Sequence, residues 1–581
     1  MSERRCRRGL ALAVVAALAV AGCTGVPSSS APQTVQPIGV GQGVSAPVAP
    51  RPGAGPRKIV GDFLEANSTD VVKPSPARQF LTSAARNKWS DVTATIVSDL
   101  HIGTYDPQRR TLSVTARVVA TLDNRGIYTP RLDAAGHGGA KVPFAFGVSL
   151  VRGQYRISAL RNGLLLTEDQ FRSGYQQRVV YFYDTAERYL VPDVRYSGLN
   201  KSGELSDWLL SQLIAGPSPG LQSAVSTDTL PAQARRVTAK IGSSLTTVQV
   251  PGSRQLAAGV RDRLAAQVSL TLTQAVHIDE MSILDGDVAV RVPKLNSSRF
   301  SASDFGGEQG PPAPAQDVYY LTGGRIKTQD GDALRGALGN GSVLFDSIAL
   351  ARPAGIGDLT VAGVQGTGVS QRLVLGTQAS GVRPTPIVGQ LTRPAWAPGR
   401  AEVWIGRGAK VYRVVTDGKT NSVSAVPIPS AAGGGRVVAL RLSPDGSRVA
   451  LVIAGANGLP QLYVGPILRS GNTVQVDTLQ QISPAGVVVQ DVAWVDTLKL
   501  YAIGYLRDTE EAGVFETAVD GSGWDNLGIS TLPKPPTTIT ATTNAAAWVS
   551  ADGFVWQQNG SRWVSPGPVD QRPGDKPIYL G

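Results

Sequence analysis

Leu440–Ile453 reads LRLSPDGSRVALVI. Two apolar, β-rich runs flank Ser443–Ser447, and Asp445-Gly446 inside it is a tight-turn signal. Related stretches recur on both sides: PAWAPGRAEVWIG at Pro394–Gly406, DVAWVDTLKLYAIG at Asp491–Gly504 and, more faintly, NAAAWVSADGFVWQ at Asn544–Gln557. After the Leu440 unit, LPQLYVG at Leu459–Gly465 adds a further strand. Trp396, Leu442 and Trp494 take equivalent places, 46 and 52 residues apart, and seven of the nine Trp lie between Trp396 and Trp563. That period suits a four-stranded propeller blade, which cannot bury both of its faces alone and must stack on neighbours in a ring. Residues 316–581 are therefore expected to form an all-β propeller of five or six blades, with Trp396, Leu442 and Trp494 between blades. A β-sandwich, or a pair of them, is the competing architecture.

Working toward the amino terminus, GGEQGPPAP at Gly306–Pro314 punctuates an expected linker over 293–315. Residues 176–292 carry a strand at Val179–Tyr183, a helix at Ser202–Ala215 stopped by Gly216-Pro217, a hairpin pair at Val237–Ile241 and Leu245–Val250, a long helix at Ser253–Ala275 and a closing strand at Asp287–Val292. Residues 57–168 begin with Ile59, Val60, Phe63 and Leu64 on one helical face. A second helix is expected over Ala77–Trp89, then strands at Leu112–Leu122, Val142–Leu150 and Tyr155–Leu160 and a turn at Asn162-Gly163. The expectation is two α+β domains followed by the propeller.

The first residues read as a targeting segment. MSERRCRR is followed by an apolar run over Gly9–Val20, whose 12 residues are too few to span a bilayer. VAGC at Val20–Cys23 resembles a bacterial lipobox, with Val where Leu is most frequent. The implied chemistry is diacylglyceryl transfer to the Cys23 thiol and cleavage after Gly22, which leaves acyl chains to hold the protein in the membrane. An ordinary signal peptide with an incidental Cys is the alternative. Residues 1–22 are thus the lipoprotein signal, and 23–56, rich in Ser, Pro, Gly and Val with only Arg51 charged, are the acylated Cys and its tether. Cleavage removes Cys6, so no disulfide is expected. It also removes three of the formal +12 charges, leaving about +9. In that location a basic protein favours anionic lipid or a cell-wall polymer, and nucleic acid is not an expected partner.

The search for chemistry returns little. His101, His137 and His277 are dispersed. Glu280, Asp285 and Asp287 read as a solvated face and turn rather than a glycosidase pair, and Asp445 as a turn residue rather than a metal ligand. Ser75, Ser83 and Ser443 have no His partner in sight, and AAGGGR at Ala431–Arg436 reads as a hairpin loop. No HExxH, GxSxG or phosphate-binding loop occurs. The expectation is a binding or scaffold protein without catalytic residues, cofactor or metal.

CTGVPSSSAP after the lipobox, ARQFLTSAARNKW at Ala77–Trp89 and NGLLLTEDQFRSGYQQRVVYFYD at Asn162–Asp184 resemble the actinobacterial lipoprotein LpqB family. LLSQLIAGPSPGLQSAV at Leu209–Val225, with Gly216, Pro217 and Leu221, resembles a GerMN domain, so the second domain is expected to be GerMN-like. The resemblance implies a membrane-anchored accessory lipoprotein, facing outside the cytoplasm. It would bind the extracytoplasmic sensor domain of the MtrB histidine kinase and modulate two-component signalling in cell-wall homeostasis and division. It carries over no catalytic residue; Cys23 alone has a chemical role. A cell-wall glycan or peptide binding scaffold is the runner-up, and an uncharacterised hydrolase in the propeller mouth the third reading.

Overall fold

The computed structural model describes residues 49–69, 76–132, 139, 141–275, 280–311, 316–338, 343–429, 434–455, 458–565 and 573–581. Cys23, the signal and most of the tether lie outside them, as do Ser75, His137 and His277.

The helix Pro56–Thr69 buries Ile59, Val60, Phe63 and Leu64, the face its periodicity marks. Phe63 meets Trp89 and Phe146 edge to face, with ring centroids 5.6 and 5.9 Å apart. The sheet beneath runs, in spatial order, Gln154–Ala159, Lys141–Val151, Thr111–Leu122, Ala94–Asp106 and Leu164–Thr167, with Tyr128–Pro130 also paired to the third. Irregularities at Ile96/Val97, Ser98/His101 and Ile102/Tyr105 bend the long Ala94–Asp106 strand. The helix expected over Ala77–Trp89 is broken. Pro76–Phe80 is a 3-10 turn, Leu81 bridges to Ile157, and Ser83–Lys88 is a separate helix whose N-cap, Thr82, accepts from the Ala85 N–H.

The second domain has two sheets. Thr238–Ile241, Leu245–Gln249, Glu280–Asp285 and Val288–Ala289 form one, in which Leu245–Gln249 lies parallel to Glu280–Asp285 and the helix Ala258–Leu272 crosses between them. Leu190–Ser197, Gln176–Asp184 and Val225–Ser226 form the other. The Ala258–Leu272 helix is buried throughout its last nine residues, polar Gln267, Ser269 and Thr271 included. Gln267 and Thr271, with Gln274 just past the helix, serve the second sheet. Gln267 Nε2 donates to the Tyr181 carbonyl at 2.7 Å, Thr271 Oγ1 accepts from the Tyr181 N–H at 3.3 Å, and Gln274 Oε1 accepts from the Val179 N–H at 2.7 Å. Helical spacing thus lays a row of side chains along an open strand edge, which would otherwise leave buried backbone groups unmet.

Three expectations here need correction. The long helix starts later than Ser253, after a separate 3-10 turn at Ser253–Gln255. The closing strand shrinks to Val288–Ala289, because Val292 instead bridges to Ser297. The stretch expected as a linker carries Phe300 and Phe305, both buried in the second domain's core.

Downstream, six sheets make the blades, resolving the five-or-six expectation. The first is Ser347–Ala351, Thr360–Gln365, Arg372–Thr377 and Gly381–Val388; the second Ala395–Trp396, Glu402–Arg407, Lys410–Thr416 and Asn421–Val426. The third opens with Arg436–Leu442, the fourth with Val487–Trp494 and the fifth with Thr538–Thr540. The sixth joins the two ends of the domain: Asp575–Tyr579 pairs antiparallel with Val318–Thr322, which pairs with Arg325–Thr328. Leu580 then bridges to Leu350 of the first blade and shuts the ring. The Pro394, Leu440 and Asp491 units are each the first two strands of a blade. The Asn544 unit is offset by one strand, since its Asp552-Gly553 turn joins Trp548–Ala551 to Phe554–Asn559, the second and third strands of the fifth blade. Trp396 and Trp494 pack between blades as expected, and each indole N–H donates to a carbonyl of the preceding blade, Ala349 at 3.1 Å and Arg441 at 3.3 Å.

Candidate functional site: the propeller axis and the domain seam

The inner strands of a propeller converge on its axis, where ligands of such rings are commonly held. Here Arg393, which precedes the second blade, reaches across to three others. Its guanidinium donates to Asp491 Oδ2 in the fourth blade at 3.2 Å, to the Ile539 carbonyl in the fifth at 2.9 Å and to the Pro577 carbonyl in the sixth at 3.1 Å. Arg441 of the third blade donates to Asp491 Oδ1 at 2.7 Å. All three side chains are nearly buried. Burial and the neighbouring Arg393 push Arg441 down to about 10, against the pull of Asp491, so it stays charged at neutral pH. The axis is thus tied across by two guanidiniums and one carboxylate.

The turn of the opening stretch is a second polar node. Gly446 takes the positive φ that the tight turn demands. Asp445 accepts from the Ser447 N–H and hydroxyl at 3.0 and 2.8 Å and from Ser443 Oγ, while Arg448, at 3.6 Å from the carboxylate, donates to the Pro192 carbonyl at 2.6 Å. Asp445 is therefore occupied as a turn acceptor, and Ser443, buried, answers to Asp445 and Arg448.

Pro192 belongs to Leu190–Ser197, a strand buried along its whole length, on which all three domains meet. The Tyr196 N–H donates to the Gly126 carbonyl of the first domain at 2.7 Å, and its hydroxyl meets Ser522 of the propeller. Tyr128, Phe171 and Tyr196 stack in one cluster with centroids 5.0–6.0 Å apart. Desolvation at this seam pushes the neighbouring Asp520 carboxyl up. Arg195, buried, pairs with Asp193 at 3.0 Å and donates to the Gly216 carbonyl at 3.2 Å; Arg125 of the first domain donates to the carbonyls of Gly216 and Pro217. Asp193 accepts from Ser218 N–H and Oγ at 2.6 and 2.7 Å. The Gly-Pro helix stop is gripped from two domains. Arg172 adds an exposed pair to Asp525 at 2.9 Å. Residues 49–581 form one compact unit.

The other residues singled out in the sequence do not converge. His101 lies exposed on a strand opposite Thr115. Glu280 pairs with Arg299 at 3.1 Å, and Asp285 accepts from the N–H groups of Gly252 and Arg254 at 3.1 and 3.2 Å. Asp287 lies exposed in a turn and Ser83 opens its short helix. Among the described residues, no group of three or more His, Cys, Asp or Glu is placed to hold a metal ion. Sequence reading missed Arg393, Arg441 and Asp491, whose only signal is a charge inside an inner strand or just before one. It also missed the Leu190–Ser197 strand.

Two α+β domains seated on a six-bladed ring, with salt bridges across the ring's axis, define a modular β-propeller protein. The model of the LpqB N-terminal domain matches residues 49–172, the sporulation and spore germination (Germane) model 179–287, and the LpqB β-propeller model 324–579. The chain belongs to the LpqB lipoprotein family. Proteins named lipoprotein LpqB are similar along most of its length. That of Rhodococcus opacus (strain B4) is 26% identical, covering 97% of this chain and 94% of its own. That of Mycolicibacterium smegmatis is 28% identical over 77% and 79%, and that of Mycobacterium ulcerans 28% over 76% and 78%. Among solved structures, TolB from Acinetobacter baumannii is similar at a TM-score of 0.32 and 12% identity, covering 70% of this chain and 99% of that one. The nidogen/laminin complex is similar at 0.30 and 9%, covering 46% and 98%. Among the described residues no helix is long and apolar enough to cross a membrane.

Proposed function

We propose that this protein is a non-catalytic accessory lipoprotein, anchored outside the cytoplasm through acylated Cys23, that binds the extracytoplasmic sensor domain of a histidine kinase of the MtrB type. Binding shifts the population of kinase states and so modulates two-component signalling in cell-wall homeostasis and division. Its bond-making is confined to its own lipidation. The observation that carries a binding role over a catalytic one is the propeller axis: Arg393, Arg441 and Asp491 spend their charges on one another and on blade carbonyls. The partner comes from the family resemblance, and the anchor from the lipobox.

The test is titration of the purified sensor domain onto the detergent-solubilised full chain. Saturable one-to-one binding is expected; no binding, with a reconstituted active kinase as control, overturns the reading. For the anchor, Cys23→Ala is expected to abolish incorporation of labelled palmitate and release the protein from membranes. Incorporation at the unsubstituted level would defeat the lipobox assignment.

A further inference from the structure

A small open cleft lies between the second domain and the propeller, bordered by Asp184 and Arg188 on one side and Arg400, Asp445 and Arg469 on the other. Most of its acceptors are engaged, although the buried Asp445 Oδ2 accepts no hydrogen bond. Asp184 receives the N–H groups of Arg188 and Tyr189 at 2.7 and 3.2 Å. Glu402, just behind the wall, receives the indole of Trp404 at 2.6 Å, both terminal nitrogens of Arg469 at 2.9 and 3.1 Å, and Arg413 at 3.4 Å. Asp445 Oδ1 receives the Ser443 and Ser447 groups already described, and Oδ2 lies 3.6 Å from Arg448.

Not all of its donors are spent. The Arg400 guanidinium is half-buried and donates to no group among the described residues; Arg469 Nε is buried without an acceptor. Burial, then the adjacent Arg469, push the Arg400 pKa down, with Arg188 adding to the repulsion against Glu402 and Asp184. At the rim Arg188 is exposed and lies over the Tyr189 ring, 5.3 Å from its centroid. The lining carries three guanidiniums (188, 400 and 469) against two carboxylates (184 and 445), an excess of one positive charge. A guanidinium without an acceptor, beside a buried Nε also without one and crowded by like charge, is what a tetrahedral oxyanion satisfies.

We propose that this cleft binds a phosphate-class oxyanion, held between Arg400 and Arg469 and covered by Arg188. The inference does not depend on which protein the propeller or the seam contacts. The same group can arrive as free phosphate or within a phosphodiester, such as an anionic lipid headgroup or a wall polymer, and the test separates these.

The full chain in neutral detergent is titrated calorimetrically at constant ionic strength, held with chloride. One arm uses inorganic phosphate and the other glycerophosphoglycerol. Saturable binding in either arm is expected, and the stronger arm identifies the source. R400Q is expected to weaken it on the order of ten-fold, and R188Q, at an exposed position that folding does not need, by a smaller factor. R372Q, an exposed arginine of the first blade, leaves it unchanged. Absence of saturable binding in both arms, or equal binding by R400Q and R188Q, overturns the proposal.

Discussion

At the residue scale, the decisive group is Asp491. Its carboxylate pairs with both Arg393 and Arg441, and all three are almost out of water. Removing one partner of a buried pair leaves the others uncompensated, which costs about 3–5 kcal/mol. Asp491→Asn is therefore expected to lower the stability of the propeller by about that amount in urea unfolding followed by Trp fluorescence. A loss below about 1 kcal/mol would mean that the axis is solvated. Asp520 makes a prediction of opposite character. Its folded-state pKa is raised by desolvation, against hydrogen bonds from Ser522 and Tyr196. The folded protein thus holds that proton more tightly than the unfolded chain does. The stability it confers is full below the ordinary carboxylate range and is lost as pH rises through the raised pKa. Relative to Asp520→Asn, the unsubstituted protein is expected to lose stability as pH rises from about 4; a gain over that range would refute the assignment.

At the element scale, the sequence was readable where one neighbour explains a pattern. The Pro56–Thr69 face and the Ser202–Ala215 helix bury against a single surface, so their apolar periodicity matches their burial. Leu190–Ser197 was not readable. Its Pro192, Asp193 and Arg195 look like loop chemistry, yet the strand is buried because Asp193 and Arg195 pair with each other and with the 216–218 turn, and Arg448 of the propeller meets the Pro192 carbonyl. Sequence neighbours carry no trace of such partners. The same holds for Gln267 and Thr271, polar in a buried helix because they serve a strand edge. Phe171, in the aromatic seam, sits on the Glu168–Gly174 helix, which a capping box starts. Thr167 accepts from the Gln170 N–H at 3.2 Å, and Gln170 accepts in return at 2.9 Å. Thr167→Ala is expected to cost about 1 kcal/mol and to raise amide exchange in residues 168–174 before any other segment. Unchanged exchange there would show that packing alone holds the helix.

At the scale of the whole molecule, the ring depends on its last strand. Asp575–Tyr579 carries Ile578 into the core of the first and sixth blades, and Leu580 follows it. A chain ending at residue 572 keeps five complete blades and loses closure, so its propeller is expected to have no cooperative unfolding transition. A transition as sharp as that of the full chain would contradict the closure described here. The ring's repeat was legible from Trp396, Leu442 and Trp494, but its closure was not, because the pairing of Val318–Thr322 with Asp575–Tyr579 spans the whole domain and leaves no local pattern. Of the candidate sites, the sequence marked Cys23 and the Asp445 turn. It did not mark the axis or the arginine cleft, which the topology assembles from distant segments.

The proposed function requires that this assembly meet a sensor kinase outside the cytoplasm. The most direct measurement is photo-crosslinking of the full-length protein in native membranes, with mass-spectrometric identification of what is captured. The account predicts crosslinks to the extracytoplasmic domain of a histidine kinase, lost when that kinase is deleted. Capture of peptidoglycan fragments alone, with no kinase, would contradict it.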